Sequence, residues 1–96
     1  MFVYGATNAG INIAVKSISK EIAKRRQRLN SIMPGWVETG MTDELGAISN
    51  KPEIIANELL GIDFPGDVTG MVLFLLSDRG SWITGSNIDV DGGYLA

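Results

Sequence analysis

The chain has 96 residues, of which 45% are hydrophobic and 20% are charged. This length and composition predict one globular domain or part of one. Eight Lys and Arg against 11 Asp and Glu leave a net charge of −3, which argues against a nucleic-acid partner because phosphates favour a basic surface. The chain has no Cys and no His, so it has neither a thiolate nucleophile nor a Ser-His-Asp triad.

The apolar runs of the sequence are short. The longest, Met71–Leu76, falls far below the roughly 20 residues that span a bilayer. The first five residues have neither the basic flank nor the apolar core of a signal peptide. We therefore expect a cytoplasmic protein with no membrane partner.

The first half of the chain predicts a helix followed by a strand. The segment from Gly5 to Arg26 contains no Pro, and its apolar residues recur at steps of four, three and four, as on one face of a helix. These residues are Ile11, Val15, Ile18 and Ile22. The segment Leu29–Met33 then predicts a short strand, which ends at the turn signal Pro34-Gly35.

The second half predicts another helix and another strand. We expect Asp67 to cap the helix, Val68–Ser77 to form its body and Gly80 to lie beyond its end. A strand is expected at Asn87–Val90, before an Asp-Gly-Gly turn. Helix, strand, loop with helical pieces, helix and strand follow in that order. A strand–helix–strand unit implies parallel strands, and therefore the α/β class.

Two candidate sites are weak on chemical grounds. Gly35–Thr42 is one residue from a phosphate-binding P-loop, but Met41 occupies the position where that loop needs Lys. Asp89 and Asp91 alternate along a strand end and could face one metal ion. Two carboxylates without further ligands are a weak metal signal, and a strand leading into an Asp-Gly turn is the favoured interpretation.

Three segments together resemble the short-chain dehydrogenase/reductase family. Tyr4 and Asn8 resemble that family's Tyr-x-x-x-Lys motif, with Asn8 at the Lys position. Residues 30–39 resemble its strand and Pro-Gly cofactor loop, and residues 67–94 resemble its last helix and last strand. The segments occur in the family's order and cover nearly the whole chain. The nearest group is that of the 3-oxoacyl-carrier-protein reductases and the sugar or alcohol dehydrogenases.

The resemblance implies the C-terminal part of a Rossmann-like, doubly wound parallel sheet, with residues 1–96 forming one partial domain. It implies an oxidoreductase that uses NAD or NADP to interconvert a small-molecule carbonyl and an alcohol, with Tyr4 as general acid/base and no metal. It places four residues at the nicotinamide carboxamide: Pro34, Gly35, Val37 and Thr39. The glycine-rich half that grips the pyrophosphate, and the catalytic Ser and Asn, are expected upstream of Tyr4.

The amide of Asn8 is the main departure from the family's pattern. A phenol with an ordinary pKa of about 10 needs a nearby cation to exchange protons efficiently at neutral pH. A unit charge at 4 Å is worth about 4 kcal/mol at an effective dielectric of 20, or roughly three pKa units as an upper bound. We therefore expect Tyr4 to be a poor acid/base at neutral pH. Because these 96 residues also lack the glycine-rich turn, we expect the chain to be inactive alone. The alternatives are a catalytically dead paralogue that serves as a structural or oligomerisation module, and an active enzyme of which this chain is only a part.

Two further expectations concern surfaces. The strand around residues 30–33 would lack a neighbour on one side, and an unpaired strand edge invites another chain. We expect a homo-oligomer that buries this edge and the apolar face of the first helix. The resemblance also implies that residues 41–64 cover the substrate.

Overall fold

The computed structural model describes residues 2–37, 52, 56–57, 59–61 and 64–96. Among these residues, four longer elements follow in chain order: helix α1 (Phe2–Ile22), strand β1 (Ser31–Pro34), helix α2 (Pro65–Leu76) and strand β2 (Asn87–Val90). A single turn of 3-10 helix follows each α-helix, at Ala23–Arg25 and Asp78–Gly80. The α/β class and the predicted order of the elements are thereby confirmed. Most of the segment expected to cover the substrate lies outside the described residues. Within the part of the chain that the structure describes, no helix combines the length and apolarity that a membrane span needs.

The two strands lie side by side and run parallel. Ser31 pairs with Asn87 and Pro34 with Val90, so the strands begin and end at the same levels. Parallel strands cannot be joined by a tight turn, and α2 lies on the connection between them. Within the described residues the sheet has only these two strands, so β1 is paired along one edge. β2 spans the predicted residues, whereas β1 begins and ends slightly later than predicted.

Helix α1 packs on the sheet through a face that overlaps the predicted apolar stripe only in part. Within this stripe Val15 is buried and Ile22 is half-buried, whereas Ile11 and Ile18 are 50% and 43% exposed. Ser19 is buried instead, because α1 approaches Gly85 closely. A Cβ on Gly85 would lie 2.7 Å from Ser19 Oγ, and the positive φ of +70° at Gly85 also favours glycine. The apolar spacing therefore predicted the helix correctly, and burial of the whole stripe in an oligomer stays a prediction.

Helix α2 begins earlier than predicted. Phe64 is its N-cap residue and Pro65 its first residue, whereas we expected Asp67 to be the cap. Proline suits the first helical position because its missing N–H would have no partner there. Asp67 lies at the third helical position, and its carboxylate accepts the Phe64 N–H at 2.8 Å. The carboxylate of Asp67 thus stabilises the N-terminus of α2 from within its first turn.

One arginine joins the start of β1 to the end of α2. Arg28 Nη2 donates to the Leu75 carbonyl at 2.7 Å, and Nη1 donates to the carbonyls of Gly80 at 2.8 Å and Ile83 at 3.3 Å. The last carbonyls of a helix have no partner within the helix, and a cation is favourable at that end. The guanidinium therefore ties the α2–β2 connection to the chain segment that leads into β1.

Replacing Arg28 with Met should lower the free energy of unfolding by about 1–3 kcal/mol, because three part-buried carbonyls lose a charged donor. Met retains the aliphatic stem, so the loss reports mainly on the guanidinium. Arg25→Met is the matched control, since Arg25 is exposed and should change stability by no more than about 0.5 kcal/mol. Urea unfolding followed by circular dichroism measures both, and equal losses would contradict the role assigned to Arg28.

Candidate functional site

The carboxyl ends of β1 and β2 open at one edge of the sheet. The Gly35 N–H donates to the Val90 carbonyl at 3.3 Å, so the Pro34-Gly35 bend leaves the sheet beside the end of β2. Beyond the bend, the ring of Trp36 meets that of Tyr94 edge-on, with centroids 6.5 Å apart. In open parallel sheets, ligands bind in the crevice outside the carboxyl ends of the strands.

Helix α1 begins at this same edge. Asn12 contacts Met33 and Asn87, and Lys16, one turn later in α1, donates to the carbonyl of Gly85, which precedes β2. The helix therefore runs antiparallel to the strands. Tyr4 and Asn8 lie about 12 Å and 6 Å before Asn12 along the helix, at 1.5 Å per residue, and so towards the carboxyl ends of the strands.

The predicted site residues are distributed over α1 and the bend after β1. Tyr4 lies in the first turn of α1, and its side chain is outside what the structure describes. Asn8 is exposed one turn later, at a spacing that places it on the same helical face as Tyr4. Pro34 is exposed at the end of β1, while Gly35 and Val37 are half-buried beyond it. Thr39 lies outside the described residues. The functional roles of these residues stay predictions.

Asp89 and Asp91 have different surroundings. Asp89 is exposed, whereas Asp91 is buried at 9% exposure. The Asp91 carboxylate accepts the N–H of Gly93 at 3.0 Å and that of Leu95 at 3.2 Å, as expected for an Asp-Gly turn. Gly93 has a φ of +90°, and a Cβ there would lie 2.8 Å from Leu59 Cδ1. The turn after β2, which lies beside the Pro34-Gly35 bend, is therefore stabilised by the carboxylate of Asp91.

Sequence reasoning missed a set of amide side chains that link the elements at and around the sheet. Asn30 donates to the Ile83 carbonyl at 3.0 Å and accepts the Ser86 N–H at 3.1 Å, which ties the start of β1 to the segment before β2. Asn12 and Asn87 contact each other across the helix–sheet interface. Hydrophobic periodicity located the helices and strands, but it carries no information about polar residues at such an interface.

Comparison with known proteins matches the chain to one family over almost its whole length. The family model for enoyl-(acyl carrier protein) reductase covers residues 1–95. The chain belongs to the short-chain dehydrogenase/reductase family. This family membership confirms the resemblance that the sequence motifs indicated.

Curated members of the family match at moderate identity. The 3-oxoacyl-[acyl-carrier-protein] reductase FabG of Thermotoga maritima is 37% identical over 92 residues, which cover 96% of this chain and 37% of that enzyme. The FabG of Chlamydia pneumoniae is 41% identical over 91 residues, covering 94% of this chain and 36% of that enzyme. The chain thus spans little more than a third of the length of these relatives.

Solved structures of the family share the fold. A 4-hydroxyisoleucine dehydrogenase complexed with NADH superposes with a TM-score of 0.86 at 35% identity, covering 95% of this chain and 38% of that one. A short-chain type dehydrogenase/reductase from Mycobacterium ulcerans gives 0.87 at 30% identity, covering 96% of this chain and 34% of that one. The two-stranded unit is therefore part of a Rossmann-type sheet in its relatives.

Replacing Asp91 with Ala should lower the free energy of unfolding by about 1–3 kcal/mol, because two backbone N–H groups lose a buried charged acceptor. Asp89→Ala removes the same group two residues earlier, where it is exposed, and should cost no more than about 0.5 kcal/mol. Thermal unfolding of the two variants measures the difference. An equal loss from Asp89→Ala would show that the turn does not depend on the Asp91 carboxylate.

Proposed function

We propose that this chain supplies the proton-transfer and nicotinamide side of an NAD(P)-dependent short-chain dehydrogenase/reductase site that interconverts a carbonyl and an alcohol. The observation that carries the proposal is the shared edge of the sheet. The start of α1, which contains Tyr4 and Asn8, and the Pro34-Gly35 bend both lie towards the carboxyl ends of the strands. In this proposal a substrate bound at that edge would face both.

The residues at this edge fit the nicotinamide end of a cofactor better than its pyrophosphate. The bend offers backbone groups and the half-buried Val37. The Gly35 N–H already donates to the Val90 carbonyl, so we propose that other backbone groups of the bend, together with Thr39, meet the carboxamide. The 96 residues contain no Gly-x-Gly-x-x-Gly turn, the motif that approaches a pyrophosphate. When bound, the nicotinamide supplies or accepts the hydride.

The proton is assigned to Tyr4. During reduction the substrate oxygen would take the phenolic proton of Tyr4 as the substrate carbon gains the hydride. During oxidation the phenolate would take the proton back from the alcohol as the carbon loses the hydride. Asn8 lies on the same face one turn away, where its amide can hydrogen-bond a ribose hydroxyl but carries no charge. A neutral neighbour does not stabilise a phenolate as an ammonium would. We therefore propose slow proton transfer at neutral pH with Asn8 in place.

The relatives support a substrate class for this proposal. The curated reductases act on a 3-oxoacyl group, which contains a ketone, and a structural relative is named as a dehydrogenase of a hydroxylated amino acid. Both names describe interconversion of a carbonyl and an alcohol. We therefore favour a small-molecule carbonyl or alcohol as the substrate of this chain.

The 96-residue chain alone should not oxidise NADH or NADPH with any carbonyl substrate, and Asn8→Lys should not change this, because neither variant contains a pyrophosphate-binding turn. Absorbance at the reduced-nicotinamide band measures the rate, with the Thermotoga maritima reductase as positive control. Turnover by the isolated chain above the protein-free background would contradict its proposed inactivity.

A graft of this chain onto the remaining part of the same reductase tests the residue roles. In the graft, Tyr4→Phe should lower turnover by about 10²–10⁴-fold, the typical contribution of general acid/base catalysis. Asn8→Lys should raise the rate at neutral pH and move the pH–rate profile to lower pH, because the cation favours the phenolate. A rate unaffected by Tyr4→Phe, or no gain from Asn8→Lys, would contradict the assignment.

A structural role is the second candidate function, and the exposed apolar residues favour it. Ile11 and Ile18 on α1, Leu73 and Leu76 on α2, and Trp82, which is 95% exposed, leave apolar surface uncovered within the described residues. Exposed apolar patches of this kind mark association surfaces. Self-association, or co-purification with a longer family member without any gain in turnover, would distinguish this role from the catalytic one. We propose a homo-oligomer on the same grounds.

A further inference from the structure

A small polar cluster joins α1 to both strands. Ser31 Oγ donates to Asn87 Oδ1 at 2.6 Å, and Asn87 Nδ2 donates to the backbone carbonyl of Asn12 at 3.2 Å. Asn12 Nδ2 lies 3.0 Å from Met33 Sδ, and Asn12 Oδ1 lies 3.4 Å from Ser31 Oγ. All four contacts are part-buried, and they involve one residue of α1, two of β1 and one of β2.

Asn12 is the member of this cluster that contacts both strands. The single hydroxyl proton of Ser31 goes to Asn87, because that distance is much the shorter of its two. The direct links from the helix are therefore the Asn12 amide to Met33 on β1 and the Asn12 carbonyl to Asn87 on β2. Met33 precedes the Pro34-Gly35 bend, so one of these links ends beside the nicotinamide loop of the proposed site.

Apolar packing alone fixes the position of α1 along its axis poorly. Among the described residues of α1, Val15 is the only buried hydrophobic side chain. Hydrophobic contact is non-directional, whereas hydrogen bonds have preferred distances and angles. The other polar link from α1 to the β2 side, Lys16 Nζ to the Gly85 carbonyl at 3.2 Å, lies at the opposite end of the strand from the bend.

We propose that Asn12 is a positioning residue: its side-chain bond to Met33, beside the bond that its backbone carbonyl accepts from Asn87, sets where the α1 turn carrying Tyr4 and Asn8 stands relative to the Pro34-Gly35 bend. This inference rests on the proposed function. Asn12 does not touch the reacting groups in this account. It acts through the two segments that it links, α1 and the end of β1. Asn12 lies about two helical turns from Tyr4, and its partner Met33 lies one residue before Pro34.

Two backbone amides report on the two ends of the strand pair. The Gly35 N–H bonds to the Val90 carbonyl at the bend, and the Gly85 N–H bonds to the Leu29 carbonyl at the other end. Asn12→Leu should speed hydrogen exchange at Gly35 about fivefold relative to Gly85, the effect of losing one modest hydrogen bond. Lys16→Met is the matched control, and it should affect Gly85 rather than Gly35.

This reciprocal pattern separates positioning from general stabilisation. A merely structural role would accelerate exchange at both amides in both variants, and that result would overturn the proposal, as would unchanged exchange at Gly35 in Asn12→Leu. Met33→Leu removes the sulfur acceptor with little change in volume. It should repeat the effect at Gly35, and it carries the test if Asn12→Leu does not fold.

In the grafted enzyme, Asn12→Leu should lower kcat with little change in KM, because it misplaces reacting groups without removing a binding contact. An unchanged kcat would overturn the positioning role. Hydrogen exchange on the 96-residue chain needs neither cofactor nor turnover. An inactive graft would therefore count against the proposed function, while the exchange pattern still decides whether Asn12 positions the bend.

Discussion

The parallel pairing of β1 with β2 is the constraint on which the rest of this structure depends. Because the strands run in the same direction and begin at the same levels, the Pro34-Gly35 bend and the Asp91–Gly93 turn leave the sheet together. Because α1 runs antiparallel to them, its first turns reach the same edge. Three segments far apart in sequence are thereby directed towards the edge at which parallel sheets bind ligands.

Polar contacts maintain this arrangement as much as hydrophobic packing does. Arg28 closes the end of α2, Asn30 ties β1 to the segment before β2, and Asp91 holds the turn after β2. Val15 and Leu75 are the only buried hydrophobic side chains among the described residues. An unpaired buried polar group is costly, so each of these satisfied groups specifies one arrangement of its neighbours.

The sequence predicted the elements well and their contacts poorly. Periodic apolar residues, the Pro-Gly bend and the Asp-Gly-Gly turn located two helices and two strands and implied parallel pairing.

The N-cap of α2 was misassigned because Asp67 is a good capping residue, whereas Pro65 at the first helical position decides where the helix begins. Ile11 and Ile18 belong to the predicted apolar stripe but not to the sheet-facing side of α1. Spacing identifies a stripe but not what covers it, and the close approach of Ser19 to Gly85 settles which side faces the sheet. The roles of Tyr4, Asn8 and the bend came from resemblance to a family, since two polar residues four apart carry little meaning alone.

In our proposal, these 96 residues contain the nicotinamide-binding side of a dehydrogenase site but not the glycine-rich turn that binds the pyrophosphate. Calorimetric titration of the chain with NADH and with reduced nicotinamide mononucleotide tests it most directly, since the two ligands share the nicotinamide and differ in the adenylate half. The account predicts equally weak binding of both, because the adenylate and pyrophosphate find no glycine-rich turn on this chain. Much tighter binding of NADH than of the mononucleotide would contradict it.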